Sequence, residues 1–121
     1  MSRKNIFDQL GVTLRNTQNS WGGRDADGNV AMTIWTDLFR EGVYVFPTPR
    51  LAAGGHKRAG LGEHVANLKH AVEHHGGRFR AVMTVAADPR ALPRKCARQW
   101  IGPWMRIIRY DESGAFEAKI D

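Results

Sequence analysis

Residues 30–36 and 79–87 have the composition and the two-residue alternation of side chains that are typical of β-strands. In the first stretch, Val30, Met32 and Ile34 share one face and are expected to point toward a core. The second stretch, from Phe79 to Ala87, carries apolar residues on both faces. Because a strand that is apolar on both faces must be covered on both, it is predicted to be a central strand.

Two turn sequences predict β-hairpins. The Asp-Gly turn at 25–28 separates residues 20–24 from the strand at 30–36, and residues 111–114 separate 104–110 from 115–120. Gly42 leads into a further strand at 43–46, and Pro47 follows it. The chain is therefore expected to be rich in short, turn-connected strands.

Helical spacing occurs in two places, and a further helix or helical turn is predicted from capping residues. Residues 3–9 predict a short amphipathic helix that ends at Gly11. Asp88 followed by Pro89 is typical of a helix start, since aspartate caps and proline suits the first turn. The best helix precedes the glycine pair at 76–77, and its predicted core face is formed by Leu61, Val65, Leu68 and Val72.

The predicted order of elements is α-β-β-β-α-β-α-β-β, which belongs to the α+β class. With 121 residues and 42% hydrophobic composition, the chain fits a single small domain over residues 1–121. The longest nearly apolar stretch, residues 80–87, is too short to cross a membrane. The N-terminal residues do not have the pattern of a secretory signal. The expectation is a cytoplasmic protein with no membrane association, and Cys96, the single cysteine, is expected to be a buried thiol.

Charge is strongly segregated along the sequence. The net charge is +6, yet residues 50–110 hold twelve Lys or Arg against three acids, a net +9, whereas the remainder is net −3. An excess of this kind attracts polyphosphate, so nucleic acid is the expected partner, DNA more than RNA. The alternative is a basic protein without any specific anionic partner.

Two basic segments are candidate phosphate contacts. The glycine-rich loop at 54–62 carries Lys57 and Arg58 to a helix N-terminus, where backbone amides favour anions. It has the glycine spacing of a P-loop but lacks the Lys and Ser or Thr that grip nucleotide and magnesium, which argues against a nucleotide triphosphatase. A plain flexible connection is the alternative for this loop. The second segment comprises Arg90, Arg94, Lys95 and Arg98. These residues are expected to form a basic stripe on a helix that could follow a phosphate backbone. The alternative is an ordinary solvent-exposed helix face.

One motif raises the question of metal chemistry. His70, Glu73 and His74 match H-x-x-E-H, the inverted zinc-protease motif, which places two histidines on one helical face beside a carboxylate. No later carboxylate stands in a recognisable ligand context, and five histidines fall within 20 residues, so a chance match is easy. No metal, cofactor or catalytic residue is therefore predicted, and a zinc hydrolase stays as an alternative.

Aromatic residues on the first hairpin suggest a base-binding pocket. Trp35 lies on the strand face opposite Val30, and Asp37 follows two residues later, so that a base could stack on the ring and donate a hydrogen bond to the carboxylate. The alternative is that each tryptophan completes a core. The candidate pocket residues are Trp21, Trp35, Asp37 and Tyr44.

The segments at 19–22, 33–37 and 86–89 resemble PUA-like domains, the superfamily of SRA-type and EVE-type readers of modified bases, some attached to HNH restriction endonucleases. This resemblance implies an open β-barrel or strongly bent mixed sheet with two to three helices. It also implies that a modified base is flipped into an aromatic cage. The chain has no HNH nuclease segment, so the resemblance implies a module that binds without cutting.

The sequence therefore predicts a non-catalytic nucleic-acid-binding module. A protein-interaction module, such as an inhibitor encoded by a phage or mobile element that presents cations to an acidic protein surface, is the alternative.

Overall fold

The structure, a computed structural model, describes residues 3–14, 21–46, 61–90 and 95–121. The described residues form two α-helices, seven β-strands and one short 3-10 turn. In chain order the elements are α1 (Arg3–Gln9), β1 (Gly22–Arg24), β2 (Val30–Trp35), the 3-10 turn (Thr36–Leu38), β3 (Phe39–Arg40), β4 (Val43–Phe46), α2 (Leu61–His75), β5 (Arg78–Ala86), β6 (Cys96–Tyr110) and β7 (Phe116–Ile120).

All seven strands belong to one sheet, in the order β1-β2-β5-β6-β7-β4-β3. Every neighbouring pair is antiparallel except β2 and β5, which run parallel. The connection between these two strands passes through β3, β4 and α2. The predicted α+β class, both hairpins and the central position of β5 are confirmed.

The sheet curls strongly although it does not close. Three strands lie between β2 and β4, so in a flat sheet they would be about 19 Å apart at about 4.8 Å per step. Instead, the Trp35 backbone N–H at the end of β2 donates a hydrogen bond of 3.3 Å to the Tyr44 hydroxyl on β4. The rings of Trp21 and Phe46, near opposite edges, lie 5.7 Å apart. A strongly bent mixed sheet is the arrangement that fits these contacts.

The concave side of the sheet encloses the main core, with α2 packed into it. Val30, Met32 and Ile34 face this core as their alternation predicts. The opposite, convex side carries a smaller core under α1, in which Phe7 packs with Ala31 and Val82. The main core is completed by Leu38, Tyr44, Phe46, Leu68, Ala71, Phe79, Ala81, Met105, Ile107, Phe116 and Ala118.

The buried face of α2 differs from its prediction. Val72 was expected to face the core, but it is 40% exposed, whereas His64 and Asn67 are 3% exposed. Both polar side chains have fixed partners: His64 Nε2 lies 3.0 Å from the Gly114 carbonyl, and Asn67 Oδ1 accepts a 2.9 Å hydrogen bond from Arg24. Hydrogen bonds to neighbouring elements therefore offset the cost of burying these two polar groups. The face of α2 that packs on the core includes them and leaves Val72 exposed.

The helix expected to begin at Asp88 does not extend to Arg98. Residues 88–90 form a turn, residues 91–94 lie outside the described part of the chain, and β6 begins at Cys96. Pairing with β5 makes residues 96–100 extended. The helical position of Arg98 and the buried thiol of Cys96 were thus wrong, since Arg98 lies on β6 and Cys96 is exposed. No helix in the described residues combines the length and hydropathy of a membrane span.

Gly22 marks a point of close backbone approach between β1 and β2. A Cβ atom at this position would lie 2.2 Å from the Ala31 carbonyl oxygen, a contact that only backbone movement can relieve. At Gly62, on α2, an added Cβ atom would meet no heavy atom within 4 Å. The two glycines therefore form a matched pair for the same substitution.

We expect Gly22→Ala to lower the free energy of unfolding by about 1–3 kcal/mol, because the added methyl overpacks the hairpin. Gly62→Ala should leave it unchanged or raise it by up to about 1 kcal/mol, because alanine favours the helix. Urea denaturation of both variants measures the difference. Equal unfolding midpoints would contradict this packing of β1 on β2.

Candidate nucleic-acid interface

The β5–β6 hairpin projects past its neighbours in the sheet. Pairing with β2 ends at Thr84, and pairing with β7 begins only at Met105. Between these limits β5 and β6 pair with each other, with Val85 opposite Arg98, and the Ala87 N–H donates to the Lys95 carbonyl at 2.8 Å. We call the described residues of this hairpin end, 85–90 and 95–98, the basic arm.

The basic arm presents its cations to solvent. Arg90, Lys95 and Arg98 are exposed. Asp88 is the acidic residue among the described part of the arm, and its carboxylate accepts a 2.9 Å hydrogen bond from the Arg90 backbone N–H. The Arg98 guanidinium lies 5.1 Å from the centroid of Trp100, within the range of a cation–π contact.

The structure thus brings three of the predicted phosphate contacts, Arg90, Lys95 and Arg98, onto one hairpin. A fourth, Arg94, lies in the same connection but outside the described residues. Lys57 and Arg58 of the glycine-rich loop also lie outside them. The candidate interface therefore rests on the basic arm.

A second basic surface lies on the convex side of the sheet, beyond the part that α1 covers. Val82 of β5 packs in the smaller core under α1. Arg80 and Arg78 precede it at two-residue steps and therefore lie on the same face of the strand. Arg80 pairs with Trp104 on β6, and Arg78 pairs with Arg106. We call Arg78, Arg80, Trp104 and Arg106 the arginine–tryptophan face.

The Trp104 ring contacts the guanidinium groups of Arg78 and Arg80. The guanidinium carbons of Arg78 and Arg80 lie 4.4 Å and 5.4 Å from the centroid of its ring. Arg80 also donates a 2.8 Å hydrogen bond to the Gly102 carbonyl. The ring and these contacts hold the guanidinium groups in defined positions on an otherwise open sheet surface.

Asp121 bridges two arginines of this face. Arg78 Nε lies 2.9 Å from its Oδ2, and Arg106 Nε lies 3.1 Å from its Oδ1. The hydrogen bond from Arg106, together with that from Arg78, lowers the pKa of the Asp121 carboxyl below its ordinary value. The carboxylate is therefore charged at neutral pH and compensates part of the positive charge.

The arginine–tryptophan face was missed from the sequence. Arg78 and Arg80 were counted only as part of the basic segment, and Trp104 was assigned to the core by the alternative interpretation of the tryptophans. The signal was present, since arginines that alternate with Phe79 and Ala81 must lie on the face away from the main core. That this face is left open by α1 could not be inferred from periodicity.

The residues proposed for a base pocket do not form one stacking surface. Tyr44 is 0% exposed, packed between aromatic side chains, so its ring offers no face to a base. Trp21 packs 4.4 Å from the ring of His64, and Trp35 packs partly buried against the main core. Asp37 is exposed on the 3-10 turn.

The histidines of the H-x-x-E-H motif gather on α2 beside the first hairpin. The ring of His70 lies 4.7 Å from that of His74 and 5.3 Å from that of His75, and its Nε2 donates to the Gly28 carbonyl at 2.9 Å. Within the described ranges, no three His, Cys, Asp or Glu side chains are arranged to hold a metal ion. These contacts link α2 to the turn of the β1–β2 hairpin.

A cleft of about 350 Å³ lies at the end of the β6–β7 hairpin. Its charged lining residues are Arg109, Asp111 and Glu117, and Arg109 pairs with Glu117 at 2.9 Å. Since acids outnumber bases there, the cleft does not suit an anion.

His70 should make stability depend on pH. Burial, and then the positive charge of Arg24, lowers the pKa of His70 below the ordinary value of 6.5, so that at a given pH His70 is less protonated in the folded state than in the unfolded chain. The unfolded chain binds more protons once the pH falls below about 6.5, so stability is lost on acidification. We expect His70→Gln, which retains a donor for Gly28, to lose less stability between pH 7.5 and 5.5 than the parent protein.

Thermal unfolding at both pH values measures this difference. Parallel losses in the parent protein and in His70→Gln would contradict the assignment.

The chain matches no protein-family model, no curated protein and no solved structure, so the candidate interface is defined by its geometry.

Proposed function

We propose that this domain binds double-stranded DNA through the basic arm, without a catalytic role in that contact. The observation that supports the proposal best is the arm itself, which carries exposed Arg90, Lys95 and Arg98 past the ends of the neighbouring strands. The charges are accessible to a partner that approaches from outside. Arginine and lysine in such a position neutralise phosphates and release counterions from the duplex.

The shape of the arm favours duplex DNA over duplex RNA. The major groove of B-form DNA admits a two-stranded β-ribbon, whereas the major groove of A-form RNA is too deep and narrow for side chains to enter. Hairpin pairing continues from Val85 and Arg98 to the Ala87–Lys95 hydrogen bond, so the arm is a ribbon of this type. Its arginines can contact phosphates at either side of the groove.

The proposal concerns the DNA backbone. The open, bent mixed sheet is compatible with the resemblance to PUA-like base readers. Base reading would depend on Trp21, Trp35 and Asp37, because Tyr44 is fully buried. The exposed cations of the arm favour phosphate binding over a base cage.

An acidic protein is the other partner that the same cations could accept. Pull-down from a lysate treated with nuclease distinguishes the two, because a DNA-dependent association disappears after the treatment. A partner that stays bound, together with no binding to purified DNA, would replace this proposal with a protein-interaction function.

Individual cations of the arm should each contribute to DNA affinity. We expect Arg98→Ala and Lys95→Ala each to weaken binding to a 20-base-pair duplex across sequences. Each should also reduce the slope of log K against log salt by about 0.9 for every phosphate that the variant no longer neutralises. Fluorescence anisotropy at several salt concentrations measures both quantities.

Lys69→Ala is the matched control, since Lys69 is an exposed cation on α2, away from the arm. If Lys69→Ala weakened binding as much as Arg98→Ala, the effect would be one of net charge and the arm would not be the interface.

Cys96 offers a direct probe of the same interface, because it is the single cysteine of the chain and is exposed on the arm. We expect saturating duplex DNA to slow its alkylation by a maleimide, since bound DNA would cover the thiol. The rate is measured by mass spectrometry with and without DNA, at constant ionic strength. An unchanged rate under conditions of full binding would place the DNA elsewhere on the protein.

A further inference from the structure

We propose that Arg78 and Arg106 form a phosphate site on the arginine–tryptophan face, and that the Asp121 carboxylate occupies this site in the free protein. The ligand chemistry is a phosphate group, and its source is taken to be the backbone of the duplex DNA that the domain is proposed to bind. In that respect the inference rests on the proposed function. The site itself is built from contacts that do not involve the arm.

Two guanidinium groups of this face converge on one anion. Arg78 Nε donates to Asp121 Oδ2 at 2.9 Å, and Arg106 donates to both carboxylate oxygens, at 3.1 Å from Nε and 3.4 Å from Nη2. Guanidinium groups bind carboxylate and phosphate with the same forked geometry. A pair that grips a carboxylate in this way presents the donors that a phosphate requires.

Both donors are held in place by groups other than Asp121. Arg106 Nη1 donates to the Gly76 carbonyl at 2.8 Å, and Arg78 lies 4.4 Å from the Trp104 ring. Both side chains are nevertheless about half exposed, at 47% for Arg78 and 49% for Arg106. Displacement of the carboxylate therefore leaves two positioned, accessible cations.

Positive charge exceeds negative charge around the pair. Arg80 and Lys119 border it, and Lys119 stands opposite Arg106 in the strand register. The strands therefore place four cations near the side-chain carboxylate of Asp121, namely Arg78, Arg80, Arg106 and Lys119. Because this surplus remains even when Asp121 is bound, an incoming phosphate is attracted to the site before it displaces the carboxylate.

The arginine–tryptophan face is separate from the arginine of the basic arm that the strand register fixes. Arg98 pairs with Val85, which shares a face of β5 with Met83, whereas Arg106 pairs with Arg78 on the other face of that strand. Arg98 and Arg106 also lie eight residues apart on β6, a separation of about 26 Å along an extended strand. The phosphate bound by the arginine pair is therefore distinct from one that contacts Arg98.

Asp121→Asn tests the inference, with Glu112→Gln as the matched control. Both substitutions remove one negative charge from an exposed residue, but only Asp121 contacts the arginine pair. We expect Asp121→Asn to bind the 20-base-pair duplex about threefold more tightly and to steepen the salt slope by about 0.9, the effect of one added phosphate contact. Glu112→Gln should change neither, and Arg78→Gln in the Asp121→Asn background should abolish the gain.

A second measurement separates the site from DNA binding. Titration of Asp121→Asn with inorganic phosphate, followed by NMR of the arginine Nε–H groups, should shift the Arg78 and Arg106 signals while those of the parent protein shift less. This response is expected whether or not DNA binds, so it identifies the site even if the proposed function fails.

Equal DNA affinities for Asp121→Asn and Glu112→Gln, with no phosphate response at Arg78 or Arg106, would overturn the inference. The proposed function would then still stand on the Arg98→Ala and Lys95→Ala results. Because exposed ion pairs contribute little to stability, Asp121→Asn should fold like the parent protein, which thermal unfolding checks.

Discussion

The curling of the sheet around α2 is the constraint on which the other features depend. It brings the end of β2 to β4, where the Trp35 N–H bonds to the Tyr44 hydroxyl, although three strands separate the two in the sheet. A curled sheet has unequal faces. The concave face can be filled by one helix and the side chains of the strands, whereas the convex face is wider than the seven-residue α1 can cover.

Both basic surfaces result from the incomplete covering of the convex face and from the lengths of β5 and β6. These two strands contain nine and fifteen residues, and their neighbours pair with only part of them. Their common end becomes the basic arm. Their other half lies on the convex face beyond α1, where Arg78 and Arg106 remain accessible and Trp104 is partly buried. A single hairpin therefore carries cations toward both of its ends, in positions that a core could not tolerate.

The two surfaces differ in how their charge is balanced. On the arm, Arg98 contacts Trp100, and the described acid, Asp88, bonds to backbone. On the arginine–tryptophan face, Asp121 neutralises part of the charge through direct bonds to two guanidinium groups. Under the proposed function, the arm would make the first electrostatic contact with DNA, while the arginine–tryptophan face would gain a phosphate only by exchange for a carboxylate.

The sequence by itself determined the elements whose cause is local: the Asp-Gly hairpin at 25–28, the helix that ends at the glycine pair 76–77 and the strand at 79–87. It could not determine the buried face of α2, because His64 and Asn67 are buried through partners 50 and 43 residues away. It also assigned Arg98 to a helix, since the pairing that makes it extended comes from β5. Only the tertiary structure decided which arginines share a surface, because that depends on strand register and on how far α1 reaches across the sheet.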